Sequence, residues 1–232
     1  MNPAGIPSKA EIAHGYDRIP AERFMPQKFH RHCVALMAPH LLHGAAVADL
    51  GCGQGTLLQV LNELSLGLRL SACDISPVLV ENTRKRVPQA DIRVADVEAL
   101  PFSNASFDAA FVTEVMEHLA EPTKVLREIR RVLKPDGWLL TSLPNRDWFH
   151  FEEYLRKRTQ FQPVDDRFYG VAEFEGFLCQ AGFAVRKVRG GENLYFGGGI
   201  PRLLERLALL VNPRLYRRMK RMILVSQVAT SA

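Results

Sequence analysis

No apolar run in this 232-residue chain approaches the ~18 residues that a transmembrane helix needs. The opening MNPAGIPSKAEIAHG lacks an apolar signal core, which points to a cytoplasmic protein rather than a secreted one. Cysteine is scarce, with Cys33, Cys52, Cys73 and Cys179 alone. No two of them form a CxxC pair, which excludes a thiol-based zinc or dithiol redox motif and leaves them as small buried hydrophobes. No internal repeat is present, so a solenoid is set aside. Disorder of the whole chain is also excluded, because 47% of its residues are hydrophobic, enough apolar surface to offset the entropy of ordering.

Charge is present but unevenly placed. The net charge is +5, and residues 201–232 hold seven Lys and Arg (Arg202, Arg206, Arg214, Arg217, Arg218, Lys220, Arg221) against Glu205. The rest of the chain is close to neutral. A basic amphipathic segment at 201–221 suits either a solvated helix face or peripheral contact with an anionic membrane. Aromatic residues are sparse there, so stacking on single-stranded nucleic acid is not suggested.

Along the chain, residues 1–21 show little periodicity and read as a loose arm, and residues 26–42 read as a helix. The run AAVADLGCGQG then takes a buried strand into a tight glycine turn. Four further strands are expected at 68–74, 91–96, 107–113 and 138–144. Helices are expected at 56–64 (ending before Gly67), after the Ser76-Pro77 cap, and at 122–133 with apolar residues at 125, 126, 129, 132 and 133. This alternation predicts a parallel sheet with helices on both faces. Beyond 145 the pattern predicts helices at 151–161 and 171–182, strands at 184–190 and 222–230, and basic helices in between.

The first turn reads GxGxG rather than the GxGxxG of a dinucleotide site, which disfavours a nicotinamide dehydrogenase. Asp49, two residues before Gly51, adds negative charge that suits a ligand bearing a cation. Asp74 ends the second strand at the distance where nucleotide-binding α/β folds place a carboxylate on a ribose diol. Asp96 ends the third strand, and Ile75 and Val97 are placed to flank a flat ring.

The segments VADLGCGQG, CDIS, VADVEALPF, FDAAFVTEVMEHL and REIRRVLKPDGWLLTSLPN resemble, in order and spacing, the successive motifs of class I S-adenosylmethionine-dependent methyltransferases. VLREIRRVLKPDG is similar to the branch that acts mostly on small molecules, quinones, lipids and glycans. The resemblance implies a Rossmann-like α/β fold with a seven-stranded, mostly parallel sheet whose last strand is antiparallel. It implies S-adenosyl-L-methionine as cofactor, with Gly51, Cys52 and Gly53 along its methionine part and Asp49 facing its ammonium group. Asp74 would take the ribose, Ile75 and Val97 the two faces of the adenine, Asp96 its amino group, and Thr113 would offer its carbonyl beneath the methionine. Residues 1–45 are then an N-terminal arm and helix. Residues 46–232 are the core, with a substrate lid at about 145–182 and a basic helical insertion at about 200–221. The expected activity is methyl transfer to an oxygen of a small-molecule, quinone, lipid-linked or glycan acceptor. The alternative is a catalytically silent, methyltransferase-like binding module.

The cluster Glu114, Glu117 and His118 has the spacing i, i+3, i+4, which shares one face if a helix starts there. Such a set could hold a divalent metal. A similar ExxEH occurs in metal-assisted relatives, while relatives without metal also carry the EH pair. His118 is instead the candidate general base, and no metal ligands are assigned. The [DNS]PP[YF] motif and the Pro-Cys pair of base methyltransferases are missing, which disfavours nucleic acid as substrate. Asn145, Arg146, Trp148, Phe149, His150 and Phe151 form either a substrate wall or the hydrophobic seat of a lid.

Overall fold

The computed structural model describes residues 7–148, 150–157, 163–191, 212, 217 and 219–229. Seven strands, β1 (Ala46–Leu50), β2 (Arg69–Asp74), β3 (Asp91–Val94), β4 (Phe107–Thr113), β5 (Leu133–Pro144), β6 (Phe183–Gly191) and β7 (Arg221–Val228), form one sheet in the order β3-β2-β1-β4-β5-β7-β6. Pairing is parallel from β3 through β5, and β7 runs antiparallel to both β5 and β6.

Among the described residues, seven α-helices accompany the sheet: α1 (Lys9–Tyr16), α2 (Gln27–Met37), α3 (Thr56–Asn62), α4 (Pro77–Arg86), α5 (Pro122–Val132), α6 (Phe151–Lys157) and α7 (Val171–Gln180). Their apolar stripes cover both faces of the sheet. On one face Phe29, Cys33, Val34 and Met37 of α2 join Leu57, Leu58, Val60 and Leu61 of α3 against Val47, Ala72 and Phe111. On the other, Val125, Leu126, Ile129 and Val132 of α5 and Phe174 and Leu178 of α7 pack on Ala48, Ala110 and Leu139. The predicted apolar face of 122–133 is thus the buried face of α5. As predicted, Ser76 caps α4, its hydroxyl accepting from the Leu79 amide at 3.0 Å with Pro77 in the first turn.

Several expectations need correction. The arm is not loose over residues 9–16. Ser8 and Glu11 form a reciprocal capping box that starts α1, a local signal that overrides the weak apolar periodicity. The third strand stops at Val94, and α3 stops at Asn62, before Gly67. β5 begins at Leu133 instead of 138, with an irregular pairing across Lys134–Gly137 where Asp136 has φ +64°. Most of the basic helices expected at 201–221 lies outside the described residues, but their end is corrected: Met219 and Lys220 form a bend, and Arg221 already starts β7. The Gly-rich 192–200 segment, Phe149 and the second half of the 151–161 helix also lie outside the described residues.

Asn145 locks the end of β5 to the chain entering β7. Its Nδ2 donates to the carbonyls of Arg217 (2.8 Å) and Met219 (2.9 Å), and its backbone N–H donates to Lys220 at 3.0 Å. Asn145→Ala leaves those carbonyls without their donor. Chemical denaturation is expected to show a loss of about 2–3 kcal/mol.

Candidate functional site

The strand order reverses between β1 and β4, because β1 leads outward to β2 while β4 leads the other way to β5. Open α/β sheets bind ligands at such a switch point, outside the carboxyl ends of the strands. A cavity of about 590 Å³ lies there, within the roughly 300–1,000 Å³ range of small-ligand sites. Asp49 near the end of β1, Asp74 ending β2 and Thr113 ending β4 all line it, with Gly51, Cys52, Gly53, Ile75, Asp96, Val97 and His118. Every site residue expected from the sequence therefore meets in one cavity.

The glycine turn is shaped by close approach. Gly51 has φ +82°, and a Cβ there would stand 2.4 Å from Val115 Cγ2. Gly53 has φ +51°, and a Cβ there would meet the Phe24 ring at 3.1 Å. At Gly51 both the backbone conformation and the space oppose a side chain; at Gly53 the left-handed φ favours glycine, and the Phe24 ring would have to give by a few tenths of an ångström. The turn is fastened to β2 by the Gly51 and Cys52 amides, which donate to the Cys73 carbonyl, and by the Gly53 amide, which donates to Asp74 Oδ2 at 2.8 Å. Asp74 Oδ1 accepts from the Ser76 amide at 3.0 Å. Burial raises the Asp74 pKa, and these amide bonds hold the rise in check.

Asp49 is 1% exposed, and neither of its carboxylate oxygens has a hydrogen-bond partner. Burial and the neighbouring Asp74 charge push its pKa up to about 8. A buried acid kept without a partner is costly, and it fits a ligand that brings its own cation. The whole cavity has that character. Seven acidic side chains line it (Glu22, Asp49, Asp74, Asp96, Glu114, Glu117, Asp166) against Lys9, Arg23 and Arg221, so even with Asp49 protonated below about pH 8 and the Glu117 pKa raised, the acids outnumber the cations and the cavity favours a positively charged ligand.

The Glu114, Glu117 and His118 expectation is overturned in part. No α-helix starts there. Glu114 has φ +56° and is followed by a single 3-10 turn, Met116–His118, so the three residues do not share a helix face, although all three line the cavity. Glu114 turns to Arg221, which donates to it at 2.6 Å, and accepts from the Ser142 hydroxyl at 2.9 Å. Among the described residues no three His, Cys, Asp or Glu side chains could hold a metal ion. His118 Nδ1 instead stands 2.8 Å from Asp166 Oδ1, and its Nε2 lies 4.0 Å from Glu117 Oε1. Burial alone would lower the His118 pKa, but the Glu117 and Asp166 charges outweigh it and the pKa is raised. Glu117 is buried with Oε2 unpartnered, and burial raises its pKa.

Sequence reasoning missed Asp166, 48 residues from His118, because no local pattern announces a partner at that separation. It also missed Lys9, His30 and Arg221 on the cavity wall. Of the described residues of the Asn145–Phe151 stretch, none lines the cavity, so they do not form the substrate wall. Trp148 and Phe151 are buried against Tyr154, while Tyr154, Val164 and Asp166 are the members of this region that reach the cavity.

Residues 48–141 match the family model described as a methyltransferase domain. A probable S-adenosylmethionine-dependent methyltransferase of Mycolicibacterium smegmatis is 31% identical over 176 residues, covering 75% of this chain and 65% of that one. A ubiquinone biosynthesis O-methyltransferase of Xanthomonas oryzae pv. oryzae is 40% identical over 110 residues, 45% of each chain. The chain thus spans 45–65% of the length of these curated relatives. Among solved structures, a SAM-dependent methyltransferase from Thermotoga maritima has a TM-score of 0.68 at 19% identity, covering 94% of this chain and 100% of that one. The [4+2]-cyclase SpnF has a TM-score of 0.66 at 20% identity, covering 97% and 98%. At these identities the two structures show a shared Rossmann-like fold.

Asp49 generates a stability prediction. In the unfolded chain it ionises near pH 4, roughly its reference value; folded, it holds its proton to about pH 8. Folding takes up a proton between those values, so wild-type stability falls as pH rises through that window. Asp49→Asn removes this cost. Its melting temperature is expected to exceed the wild-type value by a larger margin at about pH 8 than at about pH 5 in thermal unfolding scans.

Proposed function

We propose that the chain is a class I S-adenosylmethionine-dependent methyltransferase that transfers a methyl group to a hydroxyl oxygen of a small-molecule acceptor, with His118 as general base. The observation that carries this reading is the His118–Asp166 pair at 2.8 Å on the wall of the acid-rich cavity. The cofactor supplies an electrophilic methyl group on a sulfonium.

The remaining chemistry belongs to the protein. The unpartnered Asp49 carboxylate and the glycine turn fit the ammonium-bearing part of the cofactor, and Asp74 fits the ribose hydroxyls. Charge-assisted hydrogen bonds of this kind contribute about 1.5–3 kcal/mol each. Ile75 and Val97 offer apolar surface for the adenine, with Asp96 at its edge, and the Thr113 carbonyl borders the methionine end. Asp166 accepts from the His118 Nδ1–H and so fixes the tautomer that leaves Nε2 free to take the acceptor proton. Glu117 stabilises the imidazolium that forms. Tyr154 and Val164 supply apolar surface for a small acceptor. The partial likeness to ubiquinone-biosynthesis O-methyltransferases supports oxygen as the methylated atom.

The test is transfer of labelled methyl from S-adenosylmethionine to a panel of small phenols, with amines and carboxylic acids as rival acceptors. Methylated phenols are expected. Labelling of amines alone, or cofactor binding with no acceptor labelled, contradicts the reading. His118→Ala is expected to lower kcat by roughly 10²–10⁴-fold. Because His118 must be neutral to act and its pKa is raised, activity is expected to climb as pH passes above its ordinary ~6.5. Asp166→Asn is expected to move that acid limb downward, read from the pH profile of kcat/KM.

A further inference from the structure

The acid-rich cavity has a neighbour of opposite charge. A second cavity, of about 570 Å³, lies between the start of α5, the segment around Arg167 and Tyr169, and α7. The chain crosses from one cavity to the other at two places. Glu117, His118 and Leu119 line the first, and the five residues after Leu119 line the second. Asp166 lines the first and Arg167 the second. The two crossings are tied to each other, because the Arg167 amide donates to the Glu117 carbonyl at 2.7 Å.

Lys124, Arg127 and Arg167 face this second cavity against a single acid, Glu121. Lys124 and Arg127 are spaced i, i+3 on α5 and so share a face. The Lys124 ammonium stands 3.8 Å from both Glu98 and Glu121, beyond hydrogen-bond reach. Neither the Arg127 nor the Arg167 guanidinium has an acid or a hydrogen-bond partner among the described residues. Beside these cations the Tyr169 and Phe177 rings, edge to face at 5.4 Å, supply apolar surface. The field here attracts anions, as that of the first cavity attracts cations. A guanidinium is a planar fork that matches phosphate oxygens in pairs. Two open forks and an ammonium suit a group with three outward oxygens and nearly two negative charges, which a phosphate monoester carries above about pH 6.

We propose that the second cavity is a binding site for a phosphate monoester of a flat apolar group, and that its occupancy is transmitted to His118 through Arg167. The phosphate lies against Arg127 and Arg167, and the ester group against Tyr169 and Phe177. A ligand that draws on Arg167 acts on a residue whose amide holds Glu117 and whose chain neighbour, Asp166, pairs with His118. The site stands apart from the cofactor and acceptor readings, because none of its residues serves either.

The probes are phenyl phosphate and inorganic phosphate, titrated into the full chain by calorimetry. Phenyl phosphate is expected to bind one to one and several-fold more tightly than inorganic phosphate. Arg127→Ala and Arg167→Ala are each expected to weaken it roughly three- to tenfold, and Arg127→Lys less, since the charge stays while the fork is lost. Raising salt from about 50 to about 500 mM is expected to weaken binding to the wild type more than to either alanine variant. The His118 imidazole signal in NMR spectra, identified by its loss in His118→Ala, is expected to move as phenyl phosphate saturates the wild type, and to move less in Arg167→Ala at equal saturation. No binding, or binding that both alanine variants leave unchanged, overturns the site. Equal affinity for the two probes overturns the apolar half of the ligand. Binding that leaves the His118 signal in place overturns the link through Arg167. Equal melting temperatures of the variants exclude misfolding as the cause of any change.

Discussion

Carboxylates buried at the carboxyl ends of parallel strands, with too few cations to match them, are the constraint on which the site depends. Asp49 and Asp74 are held there by β1 and β2, and the glycine turn keeps them apart from solvent. Desolvation drives both pKa values up, which is a cost to the folded chain. A hydrophobic residue at Asp49 would remove that cost. Its retention makes sense if a cationic ligand repays it on binding, which is the general trade between stability and function.

The sheet makes this arrangement available. Because the strand order reverses between β1 and β4, the loops after them separate and open a cleft. The glycine turn enters that cleft from one side and the Glu114–His118 turn from the other. Positive φ at Gly51 and Glu114 bends the chain sharply at both places. Arg221, at the start of the antiparallel strand β7, reaches back to Glu114 and joins the far half of the sheet to the cavity wall.

Much of this was legible in the sequence because it is local. The apolar face of α5, the Ser76 cap and the strand-to-glycine transition are patterns that close within a dozen residues. So are the acids that end β1 and β2, whose positions follow from strand ends. The misreadings also have local causes. The capping box at Ser8 and Glu11 was present but outweighed by weak periodicity. The helical face assumed for Glu114, Glu117 and His118 failed because the left-handed turn at Glu114 breaks the spacing argument. Other features could not be read at all. Asp166 meets His118, Arg221 meets Glu114 and Lys9 meets Asp96 only through tertiary folding, across 48, 107 and 87 residues of chain.

The central claim is that this acid-rich cavity is built for a cationic adenosyl cofactor. Calorimetric titration of S-adenosylmethionine, beside NAD and ATP, tests it most directly. One-to-one binding of S-adenosylmethionine with micromolar affinity, and no comparable heat from the two polyphosphate ligands, is the expected result. Tighter binding of NAD or ATP than of S-adenosylmethionine would contradict it.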